Sequence, residues 1–305
     1  MNTKTPLPYV IDILNNDYHL KAQSYGLGKK ALLLLGNGFE GDTTYLLNSH
    51  SWLKDLSYRV INFNQAPLSS TLSKNACFED YIKDAINNIE IVRQAFNIEE
   101  LQILGHGWGS LFAIEYALSH PQTLDSLILI NPTAHVPLAQ QAILQLRYSL
   151  GHETAAIMAR YEALGELNHP EYLAAITLLK YRYICRLDTW PSALSANYDK
   201  AMNSTLHQNL FGENPFYISG AAANWHRLEE LATLRAPTLI ISGLQGLFTT
   251  ECSKRIAKQM PHAQVEILKN AASAPFAEEA ERYFDILVNF LNKQRKTVVQ
   301  LCSVS

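Results

Sequence analysis

The stretch from Leu101 to Leu111 reads Leu-Gln-Ile-Leu-Gly-His-Gly-Trp-Gly-Ser-Leu. An apolar strand runs straight into a glycine-rich turn, and a helix follows with Leu111, Ile114 and Leu118 on one face. The spacing is that of G-x-S-x-G, in which a serine on a tight strand-to-helix turn attacks a carbonyl. The central position here is Gly107, so the turn carries no nucleophile. Ser110 comes one helical turn later and is expected to point along the helix. His106 reads as a packed or locally bonded side chain, with a catalytic base as the alternative. His135 and His226 are single histidines, and Cys252 sits in a predicted helix as a core residue. Cys77, Cys185, Cys252 and Cys302 lack C-x-x-C spacing, which predicts reduced thiols and no metal site.

The elements that must position this turn alternate along the first half of the chain. Tyr9 to Leu14 and Tyr18 to Tyr25 flank Asn15-Asn16-Asp17 as a hairpin. Ala31 to Leu35 is an unbroken apolar run, as expected of a strand covered on both faces. It ends in Gly36-Asn37-Gly38-Phe39-Glu40-Gly41, a loop whose backbone can approach a ligand. Tyr58 to Phe63 is a second buried strand, Phe78 to Phe96 has helical periodicity, and Leu124 to Ile130 is a strand ending at Asn131-Pro132. This alternation predicts a mostly parallel, helix-covered sheet. From 138 to 212 the pattern is helical almost throughout. Strands resume at Ala236 to Gly243 and Val265 to Leu268, and a helix is expected from Glu278 to Asn292. Residues 296–305 have weak β character through Thr297, Val298 and Val299.

Composition excludes several classes. The 305 residues are 48% hydrophobic and 17% charged with a net charge of -3, as in an ordinary soluble protein. There is no basic surplus for nucleic acid, no run of membrane-spanning length and no apolar leader in Met1 to Pro6. The expectation is a cytoplasmic protein without cofactor, nucleic-acid partner or membrane association, its oligomeric state left open.

From about residue 9 to 293 the chain resembles the α/β-hydrolase fold, in particular its proline iminopeptidase (prolyl aminopeptidase) branch. The marks are the strand Leu32 to Leu35 with its glycine loop, Tyr58-Arg59-Val60-Ile61, and Gly105-His106-Gly107-Trp108-Gly109-Ser110. Narrower marks are His169-Pro170-Glu171-Tyr172, Arg182 to Arg186, Trp190-Pro191, Phe211 to Phe216, Asn224-Trp225 and Pro237 to Ile240. The resemblance implies an α/β core over 1–134 and 236–293, an all-helical cap over 135–235 and a tail from 294 to 305. It also implies a Ser-Asp-His triad, and each of its positions departs from the pattern. The serine position is Gly107, the aspartate position falls on Gly246, and the histidine position on Ser273. The family's strand-end loop begins with histidine and two glycines, where this chain has Leu35-Gly36-Asn37. The family's cap glutamate, which pairs with a substrate amine, is Pro215 here, with Glu213 two residues away as a substitute.

What such a site would keep is backbone. The Trp108 N–H heads a helix, and Gly36, Asn37 and Gly38 can offer a second donor, so an oxyanion site is expected to survive. Loss of the serine side chain is expected to leave extra room there. The substrate-binding set is Gly36, Asn37, Gly38, Trp108, Glu213 and Trp225, with a small molecule as ligand. The first expectation is a non-hydrolytic enzyme of the cyclase, isomerase or lyase type, acting on a small amine- or ring-nitrogen-bearing metabolite. The alternatives are an inactive binding protein and an iminopeptidase-like hydrolase with rearranged catalytic groups.

Overall fold

The computed structural model describes residues 8–15, 18–37, 43–64 and 77–302. Its centre is an eight-stranded sheet in the order β1-β2-β4-β3-β5-β6-β7-β8. The strands are β1 (Tyr9–Asn15), β2 (Tyr18–Tyr25), β3 (Lys30–Leu35), β4 (Tyr58–Phe63), β5 (Leu101–His106), β6 (Leu124–Ile130), β7 (Thr238–Gly243) and β8 (Ala263–Leu268). The first hairpin pairs antiparallel and joins β4 antiparallel, and the pairings from β4 through β8 are parallel.

The unbroken apolar runs have a simple cause. Side chains alternate across a strand, so Leu33 and Leu35 enter the core on one face while Leu32 and Leu34 enter the core on the other. Ile103 and Leu104 divide the same way on β5, as do Leu129 and Ile130 on β6. Both faces are covered by helices, so apolar residues serve on either side of these strands. The covering helices include α1 (Thr44–His50), α2 (Phe78–Ala95) and α3 (Trp108–Ser119).

Between β6 and β7 the chain passes through α4 (Val136–Leu146), α5 (His152–Leu164), α6 (Pro170–Tyr183), α7 (Ser192–Asn203) and α8 (Thr205–Phe211). Its two ends are tied together where they leave the sheet. The Val136 N–H donates to Trp225 O at 2.9 Å, and the Arg227 N–H to Ala134 O at 2.8 Å. His135 and His226 pair there with their rings stacked, centroids 5.2 Å apart. Within the insertion, Arg147 is buried and bidentate to Glu162, at 2.7 Å for each contact, and also donates to Phe216 O.

After β7 come α9 (Thr250–Gln259), the short α10 (Pro275–Glu278) and α11 (Ala280–Cys302). The helix expected from Glu278 therefore starts two residues later. The Glu278 carboxylate is occupied in capping the Ala272 and Ala274 N–H groups, both at 3.0 Å. The expected β character of the tail is also corrected, because the backbone continues as α11 to Cys302. No Gly or Pro interrupts that segment, and β-branched residues cost a helix only a few tenths of a kcal/mol each. Among the described residues no helix is long and apolar enough to cross a membrane.

Candidate functional site

The elbow forms as its glycines suggest. β5 ends at His106, and Gly107 turns the chain at φ 55° and ψ -120° before Trp108 starts α3. That positive φ is strained for a residue with a Cβ, and glycine adopts it freely. The turn is held by the Gly107 N–H on Ile130 O and the Ser110 N–H on Gly107 O, both at 3.0 Å. Ser110 is fully buried and its hydroxyl donates to Gly105 O at 2.8 Å, so it braces the turn and faces no open space. Cys252 is buried on α9.

The place that a Cβ at Gly107 would take is filled. The Asn37 side chain reaches in from the end of β3, and its Oδ1 accepts the Trp108 N–H at 3.0 Å. A Cβ added at Gly107 would stand 2.5 Å from that Oδ1 and 3.0 Å from its Cγ. The Asn37 N–H is committed as well, donating to the Tyr45 hydroxyl at 2.8 Å. The Trp108 and Asn37 N–H groups, two of the backbone donors expected at an oxyanion site, thus have partners inside the protein. The expectation of extra room at the elbow is corrected by the same contact. Gly36 lies buried against Thr43 and Tyr45, and Gly38 to Gly41 fall outside the described residues.

The hydrogen bonds continue in one direction. The Tyr45 hydroxyl lies 2.7 Å from His106 Nδ1, and His106 Nε2 lies 2.7 Å from Ser273 O. A carbonyl only accepts, so Nε2 carries the proton and Nδ1 accepts from Tyr45. His106 is buried, and burial lowers its pKa from 6.5 to about 4 against a smaller opposing effect of the Ser273 carbonyl. It is a neutral strut with both nitrogens engaged. The phenol of Tyr45, also buried, is pushed well above its ordinary pKa.

The other two positions are also occupied. Gly246 is buried, and a Cβ there would fall 2.7 Å from Asn131 Cγ and closer still to Asn131 Oδ1. Asn131 follows β6 in a left-handed conformation at φ 49°, and its Nδ2 donates to the Ser273 hydroxyl at 2.8 Å. Ser273 Oγ also accepts the Leu247 N–H at 2.9 Å and donates to Tyr183 O at 2.7 Å. The Ser273 N–H donates to Ile184 O at 3.1 Å. Ser273 therefore ties the sheet edge to the end of α6.

Gly107, His106, Trp108, Asn37 and Ser273 line one cavity of about 40 Å³, together with Asn131 and residues of the helical insertion. Glu213 and Trp225 do not line it. Glu213 is exposed, with no side-chain contact to the cavity. The buried Trp225 indole donates to Glu115, itself 3.0 Å from Arg227 Nε, at the far end of α3. The residues that sequence reasoning missed are Tyr45, His207 and Asn131. For Asn131 a signal existed, since asparagine is enriched at positive φ and ends a strand here. Tyr45 and His207 carry no local signal.

Burial of neutral histidines makes stability depend on pH. His50, His106 and His207 all have pKa values lowered by burial to about 4. Between 4 and 6.5 the unfolded chain binds more protons than the folded one, so stability rises with pH across that window. Urea unfolding at pH 7 and pH 5 should show a loss on acidification, up to about 1.4 kcal/mol per pH unit for each histidine. The buried Glu115 and the half-buried Glu278, both raised chiefly by desolvation, work in the opposite direction above pH 4.5.

The sequence of residues 31–280 matches the family model described as alpha/beta hydrolase fold. The chain belongs to that family. Among curated relatives it is 28% identical to a proline iminopeptidase of Saccharolobus solfataricus, over 67% of this chain and 66% of that one. It is 26% identical to one of Clostridium botulinum, over 87% and 91% respectively. Its fold superposes on VinJ with a TM-score of 0.85 at 22% identity, over 94% and 99% of the two chains. A proline iminopeptidase of Mycobacterium smegmatis gives the same TM-score and identity, over 95% and 100%.

Proposed function

We propose that the chain is a small-molecule-binding protein built on the iminopeptidase plan, without acyl-enzyme chemistry. The observation that carries this reading is the Asn37 carboxamide over Gly107, which takes the Trp108 N–H and stands where a side chain at 107 would be. The positions that the resemblance gives to the acid and the base support it. They hold Gly246 under Asn131 and a serine that braces residues 183 and 184. On this reading the helical segment of residues 135–235 acts as a cap over the ligand. The expectation of a non-hydrolytic enzyme required free oxyanion donors, and the Trp108 and Asn37 N–H groups are already engaged.

The names of the relatives favour a second reading, hydrolysis of the iminopeptidase type by rearranged groups, and the comparisons back it better than the non-hydrolytic one. It needs a nucleophile beside a free base. Ser110 is sealed, and the Ser273 hydroxyl already has three partners, while His106 spends both nitrogens on other groups. Release of arylamine from a prolyl arylamide separates the two readings. The expected rate equals that of buffer alone. Turnover at least tenfold above background, abolished in Ser273→Ala, would establish the second reading instead.

A further inference from the structure

The cavity over the elbow has a chemical character that the iminopeptidase resemblance does not share. Among the described residues that line it there is no Asp, Glu, Lys or Arg. Its apolar wall includes Trp108, Phe248, Leu247 and Met202. Trp108 is fixed by Phe211 stacked at 4.1 Å and by Phe248 edge-on at 5.1 Å, so this wall is rigid. His207 on α8 also lines the cavity. It is only 3% exposed, and its Nδ1 has no hydrogen-bond partner. His106, the other imidazole at the site, has both nitrogens engaged. The positive end of α3 is already capped by Asn37, which removes the backbone donor that would otherwise attract an anion.

A charged group entering such a space loses its water without gaining a counter-charge, which disfavours it strongly. An uncharged group loses less, and the His207 imidazole at the cavity wall offers it one polar neighbour. We propose that the cavity takes an uncharged ligand, apolar apart from one hydrogen-bonding group that meets His207, and rejects the ammonium or carboxylate of an amino acid or peptide terminus. This rests on the reading of the protein as a binder, and it replaces the expected amine-bearing ligand with a neutral one. The carboxamide of Asn37, already seated beside the same cavity, is an example of the neutral polar group such walls accept.

The test uses three probes of similar size on the full chain: propionamide, propionate and propylamine at pH 7. Binding is followed through the NMR shifts of the Trp108 amide and indole. Propionamide should bind at least tenfold more tightly than either ion. His207→Phe should weaken propionamide about tenfold while leaving xenon, an apolar probe for small cavities, unaffected. Equal or tighter binding of either ion, or no response to any of the three, overturns the proposal. An unchanged propionamide affinity in the variant overturns the part assigned to His207. Prolyl arylamide hydrolysis with the preference for the neutral probe intact would overturn the binding-protein reading alone.

Discussion

Gly246→Asp, the substitution that restores an acid at the position the resemblance assigns, is expected to destabilise the protein by roughly 2–4 kcal/mol. The new Cβ would lie 2.7 Å from Asn131 Cγ, and Asn131 is buried and held by Ser273. The carboxylate would then face Asn131 Oδ1, an acceptor that has no partner of its own, so charge meets the wrong end of an amide. Chemical denaturation of the single variant measures the loss. Combining it with Asn131→Gly should recover at least half of that loss, since the two sites share one space and their effects do not add. A single variant as stable as the parent would mean that Asn131 yields easily and that the site is not closed in the way described.

The second large effect is expected in the helical insertion. Arg147→Met should cost about 3–5 kcal/mol, because it leaves the carboxylate of Glu162 buried without its bidentate partner. Arg147 and Glu162 side chains are 3% and 7% exposed. The Phe216 carbonyl would lose its donor, and Tyr172 would be left as the remaining hydroxyl on Glu162, at 2.7 Å. Replacing both charges, Arg147→Met with Glu162→Leu, should recover most of the stability, since a matched apolar pair avoids the unpaired charge. Thermal unfolding of the two variants side by side checks this. Equal losses in both would assign the effect to packing of the arginine stem.

The contrast between these sites explains what was legible in the sequence. The apolar runs at Leu32 to Leu35 and Leu127 to Ile130 define buried strands because each residue must face one of two cores, a local requirement that leaves a local pattern. The elbow was readable for a similar reason, since only glycine adopts the φ of 55° at 107 without strain. The identity of residues 107, 246 and 273 could also be read directly once the resemblance fixed their places.

What could not be read is what fills the space around them. Asn37 and Gly107 are far apart along the chain, and nothing local in Gly36-Asn37-Gly38 says that the amide turns back onto the Trp108 N–H. The loop looked like a donor to ligands because its glycines permit that, and one side-chain rotamer decided otherwise. Glu213 has the charge and the sequence position of a substrate-binding residue, yet it is exposed, while His207 lines the cavity. Trp225 looked like a pocket aromatic and is held instead by Glu115. Such choices depend on packing between elements, which carries no periodicity.

On the reading proposed above, this hydrolase fold forms no acyl-enzyme at its elbow. Intact mass spectrometry after incubation with a fluorophosphonate probe tests it most directly, because the probe marks any serine activated by a neighbouring base. The mass of the protein should stay unchanged while an active serine hydrolase in the same tube is fully labelled. Stoichiometric addition of one probe, mapped to Ser273, Ser110 or another serine at the cavity, would contradict it.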